Sequence, residues 1–176
     1  MAQSASANTP PSGHRSAKRN PFDIGPDEFH VSSWPMHYIY AIASIHVKNM
    51  EMILSDFGCP ALHWRVLSIL NEEDAKTVGY LAQISVIQRS NLSYILENME
   101  RAGLIEREDM SGDRRKTLVH ITNKGRRLFA ETLPAILGYY RKFLDGLSDD
   151  QIEEFIRVLQ RIKRNIGSAQ SEIVGW

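Results

Sequence analysis

Leu92, Ile95, Leu96 and Met99 stand at i, i+3, i+4 and i+7, and Gly103 follows shortly after. That spacing lines one face of a helix, predicted from about Gln88 to Ala102, and the glycine is a left-handed stop. The period then changes. Residues 104–108 suit a short strand, Met110-Ser111-Gly112-Asp113 a turn, and residues 116–121, β-branched and roughly alternating, a return strand. A hairpin that follows an amphipathic helix so closely cannot stand alone, so the other elements must cover it.

Those elements are helical. From Trp34, Ile39, Ile42, Ile45 or His46, Met50 and Ile53 recur at three- and four-residue steps, and Gly58 followed by Cys59-Pro60 should end the helix. Pro60 opens a second helix with Leu62, Val66, Leu67 and Leu70 on its apolar face, ended by Glu72-Glu73-Asp74. Thr77 caps a third, with Val78, Leu81, Ala82 and Ile84 turned inward. Thr122 caps a fifth helix through Leu144, which Pro134 should bend or split. Ser148 and Gln151 form a capping box for a last helix striped by Ile152, Phe155, Ile156, Leu159 and Ile162. Such a stripe on a terminal helix needs a partner to cover it. The expected fold is mainly α with a small β-hairpin wing, a winged helix-turn-helix inside an all-helical dimerisation scaffold. The expected divisions are a flexible arm over residues 1–28, helical scaffold regions over 29–58 and 123–176, and the winged helix-turn-helix over 59–122. The arm is poor in apolar residues and carries Arg15, Lys18 and Arg19. Its plain reading is a solvated tail; the alternative is a basic arm on phosphate or on a partner subunit.

The chain of 176 residues carries 21 Lys+Arg and 21 Asp+Glu, a formal net charge of zero, which excludes a uniformly basic coat for indiscriminate nucleic-acid binding. One cysteine excludes an intrachain disulfide framework. The most apolar stretch, residues 38–45, is far shorter than the ~20 residues of a membrane span, and the amino terminus has no apolar signal region. A soluble, cytoplasmic protein with no membrane partner is expected. There is no Gly-rich phosphate loop, nucleophile elbow or HExxH, so an enzyme is not expected, and no cofactor or metal is implied.

With its stripe buried, the fourth helix turns Ser90, Tyr94, Glu97 and Arg101 to the opposite face. Asn91 and Ser93 flank it, and Gln88 and Arg89 lie at its start. Short hydrogen-bonding side chains at a helix tip are what the major groove of double-stranded DNA requires, although a solvated polar face would look the same. The next segment separates the two. Between residues 110 and 127, Arg114, Arg115, Lys116, Lys124, Arg126 and Arg127 face a single acid, Asp113. A turn this basic beside a candidate recognition helix is a phosphate and minor-groove probe, with Asp113 holding an arginine in place.

These residues also carry a resemblance. Leu81-Ala82, Ser90, Ser93, Leu96, Met99-Glu100, Gly103-Leu104-Ile105, Asp113-Arg114-Arg115, Ile121-Thr122 and Lys124-Gly125, with His63-Trp64-Arg65-Val66-Leu67 upstream, resemble the multiple-antibiotic-resistance regulator (MarR) family over roughly residues 35–165. The chain departs from the family at the helix-helix turn, where glycine is usual and Val86 stands. The resemblance implies a homodimer whose winged helices each read half of a pseudo-palindromic operator, with Arg115 entering the minor groove and Asp113 orienting it. It also implies a regulator, usually a repressor, released by a small aromatic effector, phenolic or carboxylate. Trp34, His37, Tyr38 and Tyr40, with His63, Trp64 and Arg65, are the candidate effector residues. Aromatics would stack on a ring, and Arg65 or a histidine would hold a carboxylate. The plainer alternatives are that Trp64 is core, the tyrosines pack a dimer and Arg65 is a structural ion-pair residue. Two other readings remain: a ligand-independent architectural DNA-binding protein, and a redox sensor using Cys59, for which a small buried hydrophobe is the simpler account. The six histidines are scattered, without the short spacing of a metal site.

Overall fold

The computed structural model describes residues 23–109 and 117–173, with side chains through residue 167. Two compact bodies divide at Ala43 and Ser44. In the first, single 3-10 turns at Pro26–Glu28 and Val31–Ser33 precede helix α1, Pro35–Ser55. The Glu28 carboxylate accepts from the Gly25 amide at 3.1 Å.

The second body contains the rest of α1, then α2 (Ala61–Glu72), β1 (Lys76–Thr77), α3 (Val78–Ser85), α4 (Arg89–Arg101), β2 (Ile105–Asp109), β3 (Thr117–Ile121), α5 (Asn123–Phe143) and α6 (Asp149–Ile173). The stops and caps follow from residue chemistry. Gly58 and Gly103 take φ of +61° and +69° after α1 and α4. The Tyr80 and Gly125 amides donate to the Thr77 and Thr122 hydroxyls, and Ser148 and Gln151 form their reciprocal box.

Three expectations need correction. Pro134 does not split α5, which is one helix of 21 residues. A single missing N–H is tolerated where both sides of the proline are packed, by Thr132 and Ile136, each essentially fully buried. Ile84 is exposed, and Ser85 takes the inward position in its place. Leu81 to Ser85 is a four-residue step, and the Ser85 hydroxyl is satisfied by donating to the Leu81 carbonyl at 2.5 Å. The hairpin is not two-stranded. β1 adds a third strand in the order β1-β3-β2, pairing Lys76 with Val119 and Thr77 with Leu118.

Two apolar clusters hold this body together. The larger joins Val66, Leu67 and Leu70 of α2, Leu81 of α3, the Leu92–Met99 stripe of α4 and Ile105, Val119 and Ile121 of the sheet. Fully burying each such side chain contributes roughly 1.5–3 kcal/mol, so α4 is fixed by its inner face and its outer face is free for other work. The smaller cluster joins Met50 and Leu54 of α1, Cys59 and Ile136 of α5, with Trp64, Tyr139 and Tyr140 packed against it.

The joint between α4, the sheet and α5 is tightly built. The Thr122 hydroxyl donates to the Gly103 carbonyl and Lys124 Nζ to the Ala102 carbonyl, both at 2.7 Å. Gly125 lies against the Leu104 carbonyl, where an added Cβ would come within 2.2 Å. Asp74 ties the turn after α2 to the same joint. Its Oδ1 accepts from the Ala75 and Ile121 amides at 2.9 Å each, and its Oδ2 from Arg126 at 2.6 Å.

Candidate nucleic-acid interface

Ser90, Asn91, Ser93 and Tyr94 are all exposed on α4, as are Gln88 and Arg89 at its start. Opposite them Leu92, Ile95, Leu96 and Met99 are buried at 5% exposure or less, so the two faces are cleanly separated. Further back, Arg107 of β2 pairs with Glu100 at 3.4 Å, and Arg101 bonds the Asn98 amide oxygen, so charge at the helix's far end is largely satisfied within the protein.

The wing rises beside this helix. β2 and β3 pair in register from Ile105 opposite Ile121 to Asp109 opposite Thr117. The Thr117 hydroxyl donates to Asp109 Oδ1 at 3.0 Å, and His120 Nε2 lies 3.1 Å from Glu108 Oε2. Asp113, Arg114, Arg115 and Lys116 lie outside the described residues, between these strand ends. Two of the other bases counted as phosphate probes have different work. Lys124 holds the end of α4 and Arg126 is paired with Asp74, whereas Arg127 is exposed.

The elbow between α3 and α4 is made at Val86, with φ +56° and ψ +36°. The backbone conformation that glycine would supply is therefore present on a β-branched residue, a rare and costly choice. Val86 is 81% exposed, so packing of its own side chain does not hold it there. Arg65 is close by: its Nη1 donates to the Ser85 carbonyl at 3.1 Å.

The expected effector residues divide into three places. Trp34, His37, Tyr38 and Tyr40 belong to the first body, where Tyr40 is exposed and the other three make local contacts. Trp34 packs edge-on to Phe29 at 5.1 Å, His37 edge-on to Tyr38 at 5.3 Å, and the Tyr38 hydroxyl donates to the Ser32 carbonyl at 2.9 Å. In the second body, Trp64 and Arg65 line a cavity of about 380 Å³ together with His46, Val47, Met50, Glu51 and Tyr140. His63 lines a different cleft, of about 510 Å³, with Asn91, Tyr94 and Asn98 of α4. Neighbouring residues on a helix project about 100° apart, which separates His63 from the pair that follows it. Trp64 is also structural, donating its Nε1–H to Thr132 Oγ1 at 3.0 Å and stacking on Phe129 at 5.8 Å.

His46 and Tyr140 were not anticipated. His46 Nδ1 lies 3.3 Å from the Tyr139 hydroxyl, and its ring packs against Tyr139, Tyr140 and Phe143. Burial, and then the Arg65 charge, lower its pKa from 6.5. Burial and the neighbouring Tyr139 raise the Tyr140 phenol, while Arg65 works the other way. Burial likewise lowers His63. In the unfolded chain both histidines return to about 6.5, so below that pH the unfolded state binds more protons than the folded one. Stability should therefore fall as pH drops from 7 to 5. The fall should be shallower in a His46→Gln, His63→Gln double variant, as read by thermal melts. Equal slopes would show that other groups carry the acid sensitivity.

A short helix exposed by its polar face, a covered second helix and a registered hairpin define a winged helix-turn-helix, the class of DNA-binding regulators. Comparison with known proteins narrows the class. The profile of the MarR family matches residues 57–116. The transcriptional repressor IacR of Pseudomonas putida is 25% identical over 144 residues, covering 82% of this chain and 86% of that one. The homoprotocatechuate degradative operon repressor of Escherichia coli is 26% identical, over 80% of this chain and 98% of its own. The structure of Bordetella bronchiseptica BpsR, described as regulated in DNA binding by 6-hydroxynicotinic acid, superposes with a TM-score of 0.69 at 22% identity, covering 79% of this chain and 98% of its own. Residues 57–116 thus match the MarR family, and over about four fifths of its length the chain is similar to transcriptional repressors. Among the described residues no helix is long and apolar enough to cross a membrane.

Proposed function

We propose that this regulator is a repressor that binds a pseudo-palindromic operator as a homodimer and leaves it when a small aromatic carboxylate occupies the cavity beside Trp64 and Arg65. The observation that carries the DNA reading is the exposed amino-terminal face of α4, with Arg89, Ser90, Asn91, Ser93 and Tyr94 opposite four buried apolar residues. Such a tip can exchange hydrogen bonds with base edges in the major groove. Asp113, Arg114, Arg115 and Lys116 would serve the minor groove and phosphates from the wing.

The dimer reading rests on α6. Phe155, Ile156 and Leu159 are exposed in the single chain at helical spacing, which a second copy would cover. The effector reading rests on the chemistry of the cavity. Arg65 supplies a fork for a carboxylate, while Trp64, His46 and Tyr140 supply ring faces. The relatives named above include one concerned with homoprotocatechuate degradation and one responding to 6-hydroxynicotinic acid; both compounds are aromatic acids. The redox alternative finds no support, because burial pushes the Cys59 thiol up to about 11 and leaves little thiolate at neutral pH.

The test begins with DNA selected from a random pool by the full-length protein. Homoprotocatechuate and 6-hydroxynicotinate are then titrated into the complex in a gel-shift assay. Release by either acid, with none by cyclohexanecarboxylate, is the expected result. Selection of no sequence would overturn the regulator reading, and unchanged binding with both acids would overturn the effector reading. A ligand-independent architectural protein would give that second outcome.

A further inference from the structure

The cavity and the helix-turn-helix elbow share one side chain. Arg65 lines the cavity, and the same guanidinium donates to the carbonyl of Ser85, the last residue of α3. Ser85 is 1% exposed, so its carbonyl is remote from water and Arg65 is the donor that satisfies it. The next residue is Val86, held at φ +56° although β-branched and almost fully exposed. The Val86 and Ile87 amides both turn back to the Ala82 carbonyl, the latter at 3.3 Å. The elbow is thus a strained turn closed by bonds around its backbone, with one of the closing donors on the wall of a cavity.

We propose that Arg65 transmits occupancy of the cavity to the recognition helix: a carboxylate bound there draws the guanidinium from the Ser85 carbonyl, and the turn at Val86 relaxes. This rests on the effector reading above and specifies how the cavity acts at a distance. A carboxylate–guanidinium bond is charge-assisted and roughly twice as strong as one to a neutral carbonyl, so the ligand has the advantage in the competition. Once its donor leaves, the Ser85 carbonyl must find water, which requires the turn to open. Val86 supplies the direction, because leaving the left-handed region relieves its side chain. The angle at which α4 leaves α3 then changes, and with it the fit of Ser90, Asn91 and Tyr94 to a groove. The ligand shifts the equilibrium only because it has different affinities for the closed and opened turn.

Two variants test the relay with the selected operator and the same two acids. Val86→Gly removes the strain without touching the cavity. Closed and opened turns then differ less in favour of opening, so release should need about five- to thirtyfold more acid than in the wild type. Arg65→Met removes the tie itself. It should weaken operator binding about tenfold in the absence of any acid and abolish the response to acid. Equal release concentrations for Val86→Gly and wild type would overturn the relay, as would full ligand-free operator affinity in a folded Arg65→Met. If circular dichroism shows Arg65→Met unfolded, Val86→Gly alone decides. Calorimetry on the wild-type protein separates the two levels. Binding of an acid with an unaltered Val86→Gly response removes the relay and leaves the effector reading standing. Absence of binding by both acids removes the effector reading and the relay together.

Discussion

Gly125→Ala should lower stability by about 3 kcal/mol or more, a fall in Tm of roughly 6–12 °C for a chain of this size. The added Cβ would lie 2.2 Å from the Leu104 carbonyl, 2.9 Å from Ile121 Cγ1 and 3.1 Å from Leu67 Cδ2. The nearest obstacle is backbone, which no rotamer change can clear. Relief requires α5 to stand off from the sheet, and that strains the Thr122 and Lys124 bonds to the end of α4. Gly138, on the same helix, is the control. Its Cβ would meet nothing within 4 Å, so Gly138→Ala should raise stability by about 0.5–1 kcal/mol through helix propensity. Thermal melts of the two variants should move in opposite directions. A Gly125→Ala protein melting within 2 °C of wild type would show that the joint yields more easily than its geometry implies.

Arg115→Ala should weaken operator binding by about two orders of magnitude while leaving a folded protein of unchanged oligomeric state. The expectation comes from the basic wing and from the family's pattern, and Arg115 itself lies outside the described residues. The flanking strands are registered from Ile105 opposite Ile121 to Asp109 opposite Thr117. One groove contact is worth about 1–3 kcal/mol, and a dimer would lose two. Gel shifts at one fixed salt concentration, with size-exclusion chromatography beside them, measure both parts. Binding within fivefold of wild type would remove the wing from sequence reading.

The elements that were legible in the sequence share a property: their signals are local. The Leu92–Met99 stripe, the caps at Thr77, Thr122 and Ser148, and the stops at Gly58 and Gly103 each need only a few neighbouring residues to be recognised. β1 was missed because two residues show no alternation; it exists through pairing with β3, more than forty positions away. The charges of Lys124 and Arg126 were visible, but not their partners, Ala102 and Asp74, which are brought to them by the fold. The cavity shows the same limit. Trp64 and Arg65 stand out in the sequence together with His63, which lines a different cleft, whereas His46 and Tyr140 come from α1 and α5 and look like ordinary members of helical stripes. The exposed polar face of α4 could be foreseen because one helix carries all of it.

The internal work of Lys124 and Arg126 bears on how the protein would respond to its ionic surroundings. Each base that engages DNA phosphate displaces about 0.9 of a condensed counterion. Six wing-region bases per subunit would displace on the order of eleven ions for a dimer, but with Lys124 and Arg126 committed elsewhere the figure drops to roughly seven. The entropy of ion release therefore supplies a smaller share of the binding, and direct contact at the bases a larger one. A net-neutral chain with this arrangement should lose affinity less steeply as salt rises. It should also spend little time on unrelated DNA, because little would hold it there.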